Sequence, residues 1–475
     1  MSDKGSKSAK PLRCSRRQLL TRGSLLAAAL LAAPPACSQW SRCNTSGRNQ
    51  RSDSSIRQAT EPPSNPAPPD TGDETKDSDL SNWQNVRRRF DVDPDLVHMA
   101  GMLLSTHPRR VREAIDRHRR GLNDNPVDYL IDHRTRSPDH LDQDAEEWAM
   151  RAAGRYLQMD PANIALTGNT TMGLAMVYNG LHIDADQEIV TGHWNHWATE
   201  GSLQYRAQKT GCEIRRAVLY DELATASRDE LVDRLIDAVS PATRIVAVTW
   251  VHSVSGLKLP IGRIGQRIKE LNHNRSPSDR IIFCVDGVHG FGVEDASMAD
   301  FHCDFFIAGC HKWLFGPRGT GIVAASPDAW RHITPTTPTF SGHLTPGRRF
   351  TPGGFHAFEH RWALNEAFEF HFDIGKSRIQ DRIHGFTDHL LDALAPMEHV
   401  RLRTPQDREL TSGIVTFEVQ GHTSAQVTAH LRRQGVIAST TPETHRVPRL
   451  SPGLLNDYSD IEQTIDAIAE LGTGG

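Results

Sequence analysis

The run Cys303-Asp304-Phe305-Phe306-Ile307-Ala308-Gly309-Cys310-His311-Lys312-Trp313-Leu314-Phe315-Gly316-Pro317-Arg318-Gly319-Thr320-Gly321 decides how this chain is read. Asp304 to Ala308 is a short apolar segment of the kind that forms a strand buried on both faces. Gly321 to Ala325 (G-I-V-A-A) reads as another. Between them, His311 and Lys312 fall just past a strand end and lead into a glycine- and proline-bearing turn. The same grammar extends toward the N-terminus. Arg280 to Val285 (R-I-I-F-C-V) and Arg244 to Val251 (R-I-V-A-V-T-W-V) are near-continuous apolar strands, and Glu213 to Tyr220 and Gln187 to Gly192 are shorter ones. Ile264 to Leu271 reads as a helix. Ser227-Arg228-Asp229-Glu230 is a capping box ahead of the stripe Leu231, Leu235 and Val239. Alternating strands and helices predict an α/β domain with a mostly parallel sheet covered on both faces.

In such sheets ligands bind beyond the carboxyl ends of the strands. After Val190 come His193, Trp194, Asn195 and His196. After Val251 come His252 and Ser253, after Val285 come Asp286 and His289, and after Ile307 come His311 and Lys312. A lone histidine is usually a satisfied polar residue, and a lone lysine is usually on the surface. Four strand ends bearing such residues together point to chemistry. Leu166-Thr167-Gly168-Asn169-Thr170-Thr171-Met172-Gly173 opens a helix that stops at Gly180. Its hydroxyl-rich start offers backbone N–H groups and a positive dipole end that suit a phosphate, although taken alone an ordinary N-cap by Asn169 or Thr170 is the better reading. A phosphate cradle, an aspartate, a ring-sized histidine and a buried lysine together describe a pyridoxal phosphate site. The lysine would condense with the cofactor aldehyde, and the aspartate would keep the pyridine nitrogen protonated.

Composition sets outer bounds. The chain has 475 residues, 54 Lys+Arg, 58 Asp+Glu and a net charge of -4. Its mean hydropathy of -0.49 excludes a multispanning membrane protein, and the near-neutral balance excludes a strongly basic nucleic-acid binder. Seven cysteines without a C-x-x-C pair exclude a disulfide scaffold. Residues 1–80 are basic and the remainder acidic. Lys4, Lys7, Lys10 and Arg13 precede Ser15-Arg16-Arg17-Gln18-Leu19-Leu20, and only Leu and Ala follow from Leu25 to Ala33. That run is too short to span a bilayer, and the order of features predicts a signal peptide over 1–37 resembling the twin-arginine export type. Ala36-Cys37 leaves soluble export and lipid anchoring at Cys37 both open. From 38 to 82 the only large apolar residues are Trp40, Ile56 and Leu80, which predicts a disordered spacer.

The 303–321 run resembles the cofactor-lysine segment of class V aminotransferases, and Val285-Asp286-Gly287-Val288-His289-Gly290 resembles that family's aspartate segment. The resemblance spans about residues 90–470. It implies the pyridoxal phosphate (PLP)-dependent transferase-like fold, the aspartate aminotransferase fold type I. An N-terminal segment (83–130) would pack on a smaller α+β C-terminal domain (346–475), with the large cofactor domain at 131–345. It further implies that Lys312 carries the cofactor, Asp286 faces the pyridine nitrogen, and His196 stacks on the ring. Asn169, Thr170, Thr171 and His311 would hold the phosphate. His289 and Ser253 would lie near the phenolic oxygen, where many relatives carry asparagine at the latter position. Arg449, in Arg449-Leu450-Ser451-Pro452, would grip a substrate carboxylate. Gly354 and Phe355 would reach a partner subunit's phosphate site, making a homodimer with shared active sites.

Within the family, Phe350 to Trp362 and the His193–His196 turn look most like the isopenicillin-N-epimerase-like branch. No cysteine follows Cys310, which disfavours the persulfide transfer of the cysteine desulfurases. The expectation is an exported, periplasmic or extracellular enzyme acting at the α-carbon of an amino acid or amino-acid-derived small molecule. Epimerisation, transamination and a C–S or β-elimination lyase reaction are its possible outcomes. Two weaker alternatives are a metallohydrolase built on His193, His196, Asp286 and His289, and a non-catalytic exported binding protein. A dinucleotide enzyme is weaker still, because no G-x-G-x-x-G follows a strand.

Overall fold

The apolar runs form the strands of one seven-stranded sheet in a computed structural model that describes residues 79–134, 138–340, 343–442 and 446–473. The expected signal peptide and most of the expected spacer lie outside the described residues. Leu80, at the end of the segment read as spacer, packs against the core, and Asn82 caps the helix Trp83–Arg87. Strand β1 (Val97–His98) follows. The large sheet contains β2 (Ile164–Thr167), β3 (Glu188–Gly192), β4 (Glu213–Ala217), β5 (Thr243–Thr249), β6 (Ile282–Asp286), β7 (Phe305–Gly309) and β8 (Gly321–Ala325). Its order is β2-β8-β7-β6-β5-β3-β4. The pairs among β3 to β7 are parallel, and β8 runs antiparallel to both neighbours.

Successive residues of each central strand enter two separate cores, as a two-residue side-chain period requires. Val246, Phe283, Val285 and Phe306 face a cluster with Leu231, Leu235, Ile264, Ile268 and Phe368. Ile245, Ala247, Ile282, Phe305 and Ile307 face the other, with Leu174, Val177, Ala198 and Leu203. This double burial is why the strands read as continuous apolar runs. Because β3 to β7 are parallel and connected by helices, their carboxyl ends share one edge of the sheet.

A second sheet follows: β9 (Val400–Leu402), β10 (Val415–Val419), β11 (Val436–Ile437), β12 (Ser439–Thr440) and β13 (Pro448–Leu450), in which β12-β13-β10-β9 are hydrogen-bonded and β11 pairs instead with β1. Val415, Phe417 and Val419 pack there with Leu390, Leu394, Val427 and Ile461. Among the described residues no helix is long and apolar enough to cross a membrane.

One buried ion cluster joins the helix Pro346–Phe350 to the helix Ala145–Leu157. Arg348 is 2% exposed, and its Nη2 lies 3.1 Å from both Asp144 Oδ1 and Glu147 Oε2 on the helix Ala145–Leu157 and its cap. Removing one partner of a buried ion group leaves an uncompensated charge, at a cost of about 3–5 kcal/mol. Arg348→Leu is therefore expected to lower the unfolding free energy by about 3 kcal/mol in urea titration. A loss of under about 1 kcal/mol would contradict the structural role given to this cluster.

Candidate active site

A cleft of about 570 Å³ opens at the shared carboxyl edge. Three of the four predicted strand ends, those after Val190, Val285 and Ile307, deliver side chains to it, whereas His252 and Ser253 after Val251 do not line it. Thr167 ends β2, the chain turns at Gly168, and Asn169 caps the helix Thr170–Gly180 by accepting from Met172 N at 2.9 Å. The first amides of a helix have no partner within it, so those of Thr170 and Thr171 face outward at the cleft. After β3, His196 caps the helix Trp197–Thr210, its Nδ1 accepting from Ala198 N at 3.2 Å. That bond directs the ring and leaves Nε2 as the protonated nitrogen of the neutral imidazole. β6 ends on Asp286, and His289 follows in the next turn. β7 ends on Gly309, and His311 and Lys312 follow. Asn169, Thr170, Thr171, His196, Asp286, His289, His311 and Lys312 all line the cleft.

The electrostatics follow from burial. Lys312 has its amine pulled down from the usual 10.5 to about 8, chiefly by desolvation. Asp286 opposes that shift and Arg449 adds to it. Roughly a tenth of the amine is then neutral at pH 7, where an ordinary lysine is almost wholly charged. Its Nζ lies 3.3 Å from His289 Nε2. Asp286 is 1% exposed, and burial raises its carboxyl. Val288 N donates to its Oδ1 at 3.3 Å and Thr199 Oγ1 to its Oδ2 at 3.2 Å, which hold the group in the anionic direction. Desolvation holds His196 down to about 4 and drives His289 well below its usual value, with Lys312 the next cause for both. Both rings are neutral at physiological pH.

Arg449 lies on β13 and is 4% exposed. Its Nη1 donates to Ser253 O at 2.9 Å and its Nε to Ser439 Oγ at 3.3 Å. It does not line the cleft itself, but its charge reaches Lys312, His289 and His196. Ser253 meets Arg449 through its carbonyl and is likewise outside the lining. Gly354, at φ +100°, and Phe355, 80% exposed, do not reach the cleft of their own chain. Asn456 and Asp460, downstream of Arg449, bond each other at 3.1 Å, and Asp460 binds Arg87 at 2.6 Å. His193 stays off the cleft lining, and among the described residues no three His, Cys, Asp or Glu gather as a metal site.

Sequence reasoning missed Thr199, Arg318 and Leu104. Thr199 lies one helical turn after His196, so helical periodicity alone points it the same way. Leu104 comes from the N-terminal segment, held by the bond from Ser105 N to His311 O at 3.2 Å, and nothing in its local sequence announces this.

The residues fit pyridoxal phosphate. His289 Nδ1 and His311 Nδ1 are buried without a hydrogen-bond partner among the described residues. A Cβ on Gly309 would stand 2.8 Å from Thr170 Oγ1 and 3.0 Å from His311 Cε1, so only glycine keeps this corner of the cradle open. A Cβ on Gly321 would stand 2.9 Å from Ala308 O and 3.2 Å from Asn169 Cα, so glycine also lets β8 run close against the cap.

A large parallel sheet with a buried lysine and aspartate at its carboxyl edge is the architecture of PLP-dependent enzymes of fold type I. The family model described as Aminotransferase class-V matches residues 132–461. The chain belongs to that family and is a PLP-dependent enzyme. It is 26% identical over 417 residues to the isopenicillin N epimerase of Streptomyces clavuligerus, covering 82% of this chain and 99% of that one. Two solved structures of C-DES share the fold. One is a mutant with glycine covalently linked to the PLP cofactor (TM-score 0.70, 19% identity, 81% of this chain and 99% of that one). The other is described as the cystine C–S lyase in complex with its product cysteine persulfide (TM-score 0.70, 19% identity, 79% and 98%).

The depressed lysine gives a direct test on cofactor-free protein. The rate at which an amine-selective reagent labels Lys312 is expected to be half-maximal near pH 8. Asp286→Asn removes the charge that favours the ammonium and should move that midpoint lower. A midpoint near 10.5 would contradict the burial described here.

Proposed function

We propose that this enzyme acts at the α-carbon of an amino acid or amino-acid-derived substrate, as an epimerase or an aminotransferase. The observation that carries the reading is the desolvated amine of half-buried Lys312, partly neutral, in one cleft with the Asp286 carboxylate and 3.3 Å from His289 Nε2. The likeness to an isopenicillin N epimerase over nearly that protein's full length supports the epimerase branch. When bound, pyridoxal phosphate supplies an electron sink for the pair left behind as a bond at the α-carbon breaks.

In this reading Lys312 first holds the cofactor and then, as a free amine, takes and returns a proton at the substrate α-carbon. Asp286 keeps a proton on the pyridine nitrogen, and Thr199 and the Val288 amide orient its two oxygens. His196, its ring neutral and lining the cleft, would pack on the cofactor face. Asn169, Thr170, Thr171 and His311 hold the phosphate at the helix start, where N–H groups and the dipole both favour an anion. His289, 3.3 Å from the Lys312 amine, would face the cofactor's phenolic oxygen, and Ser253, outside the cleft lining, would act there through the Arg449 that its carbonyl holds. Arg449, braced by Ser253 O and Ser439 Oγ, holds the substrate carboxylate. A second copy of the chain would add Gly354 and Phe355 to the phosphate end, giving a homodimer with shared sites.

A lyase acting at a C–S or other β-bond is the second reading, favoured by the shared fold of the cystine C–S lyase C-DES. It would release its sulfur product directly. The described cysteines, Cys212, Cys284, Cys303 and Cys310, are all buried, which disfavours a persulfide carrier.

Amino acids incubated with enzyme in deuterium oxide test the shared step. Wild type is expected to exchange the α-proton of its substrate, and Lys312→Ala to slow that exchange by about 10²–10⁴-fold or more. Wild-type exchange in the variant would refute the role of Lys312. Inverted configuration, an oxo acid or an eliminated thiol among the products separates epimerase, aminotransferase and lyase.

We also propose export in the folded, cofactor-loaded state through the twin-arginine leader. Replacing both Arg16 and Arg17 by lysine should leave uncleaved protein in the cytosol. Unchanged export of that variant would refute the leader reading, and mass analysis of the exported chain distinguishes free cleavage from a lipid on Cys37.

A further inference from the structure

A second pocket has a volume of about 690 Å³, and one of its lining residues, Trp194, stands two positions before His196 of the cleft lining. Three of its lining residues adjoin residues named above, His196 in the cleft lining and Ser253 and Arg449 just outside it. Trp194 is two residues before His196, Val254 follows Ser253, and Val447 is two residues before Arg449. Successive Cα atoms are 3.8 Å apart, so each of these positions lies within about 7 Å of its site residue. Trp194 is also held at φ +71° while half exposed. A bulky residue in the left-handed region is strained, and such strain collects where a side chain is held for a purpose.

The pocket has two kinds of wall. Trp194, Val254 and Val447, together with Tyr220 and Leu223, make it apolar next to the site. Arg401 on β9, and Arg403 just after it, place guanidinium groups on another wall. Arg401 is exposed and makes no ion pair among the described residues. Arg403 gives Nη2 to Glu418 at 2.8 Å, but its Nε is buried without a partner. A buried, unpaired donor calls for an acceptor. Two acids, Asp221 and Glu222, come from the separate loop after β4, and Asp221 is neutralised by Arg234 at 2.6 Å.

We propose that this pocket receives the substrate's side chain and selects an amino acid whose long apolar side chain ends in a carboxylate. The proposal rests on the reading of the enzyme as one that binds an amino acid at the Lys312 cleft, and it adds the class of side chain. The apolar wall takes the chain's methylenes, and the arginine wall takes its terminal carboxylate.

Holoenzyme titrated with alanine, α-aminocaprylate and α-aminosuberate, followed by cofactor absorbance, tests this. Aminosuberate is expected to bind about tenfold or more tighter than alanine. Arg401→Ala, at an exposed position on an edge strand, should weaken aminosuberate by about tenfold and leave aminocaprylate unchanged. Trp194→Gly should weaken both long ligands and leave alanine unchanged. Equal affinities for all three ligands in wild type, or an Arg401→Ala variant that binds aminosuberate as wild type does, would overturn the pocket. Absence of any spectral response to all three would instead overturn the underlying reading, and the pocket's role with it.

Discussion

A primary amine kept out of water beside a carboxylate is the constraint on which this molecule turns. Neither group is comfortable in its place. Desolvation pulls Lys312 toward neutrality and pushes Asp286 toward protonation, and their mutual attraction only partly offsets this. Asp286 is held by the Val288 amide and the Thr199 hydroxyl, while Lys312 has only a neutral imidazole at hydrogen-bond distance among the described residues. Such an arrangement is costly as architecture and useful as chemistry, since it leaves a nucleophilic amine available near neutral pH.

The sheet makes that placement possible. Parallel strands connected through helices all end at one edge, so residues far apart in sequence converge without long loops. β6 supplies the acid, β7 the amine, β3 a histidine ring and β2 the helix start that favours an anion. The tight approach of β8 to the cap of the helix Thr170–Gly180 depends on Gly321, and the open corner beside His311 depends on Gly309.

Much of this was legible in the sequence because doubly buried strands announce themselves as unbroken apolar runs, and the polar residues that line the cleft lie a few positions past three of those runs, although His193, His252 and Ser253 in the same turns do not reach it. Asp286, Lys312, His311 and His196 were read in that way, and Asn169 to Thr171 from the chemistry of a helix start. Thr199 was not, because its partner Asp286 is brought to it only by the order of strands in the sheet. Leu104 was not, because its position is set by one backbone bond to His311 across the fold. Arg449 sits on a three-residue strand with no periodicity to read, and the structure gives it a specific brace, the Ser253 carbonyl, that sequence spacing could not supply. Gly354 and Phe355 lie away from their own chain's cleft.

The central claim is that one particular amine carries the cofactor. Borohydride reduction of the purified, yellow holoenzyme, followed by proteolysis and mass spectrometry, tests it most directly. The account predicts that the yellow colour is bleached and that the mass of the reduced cofactor is found on Lys312 alone. Cofactor fixed on a different lysine, or none fixed on a protein that stays yellow, would contradict it.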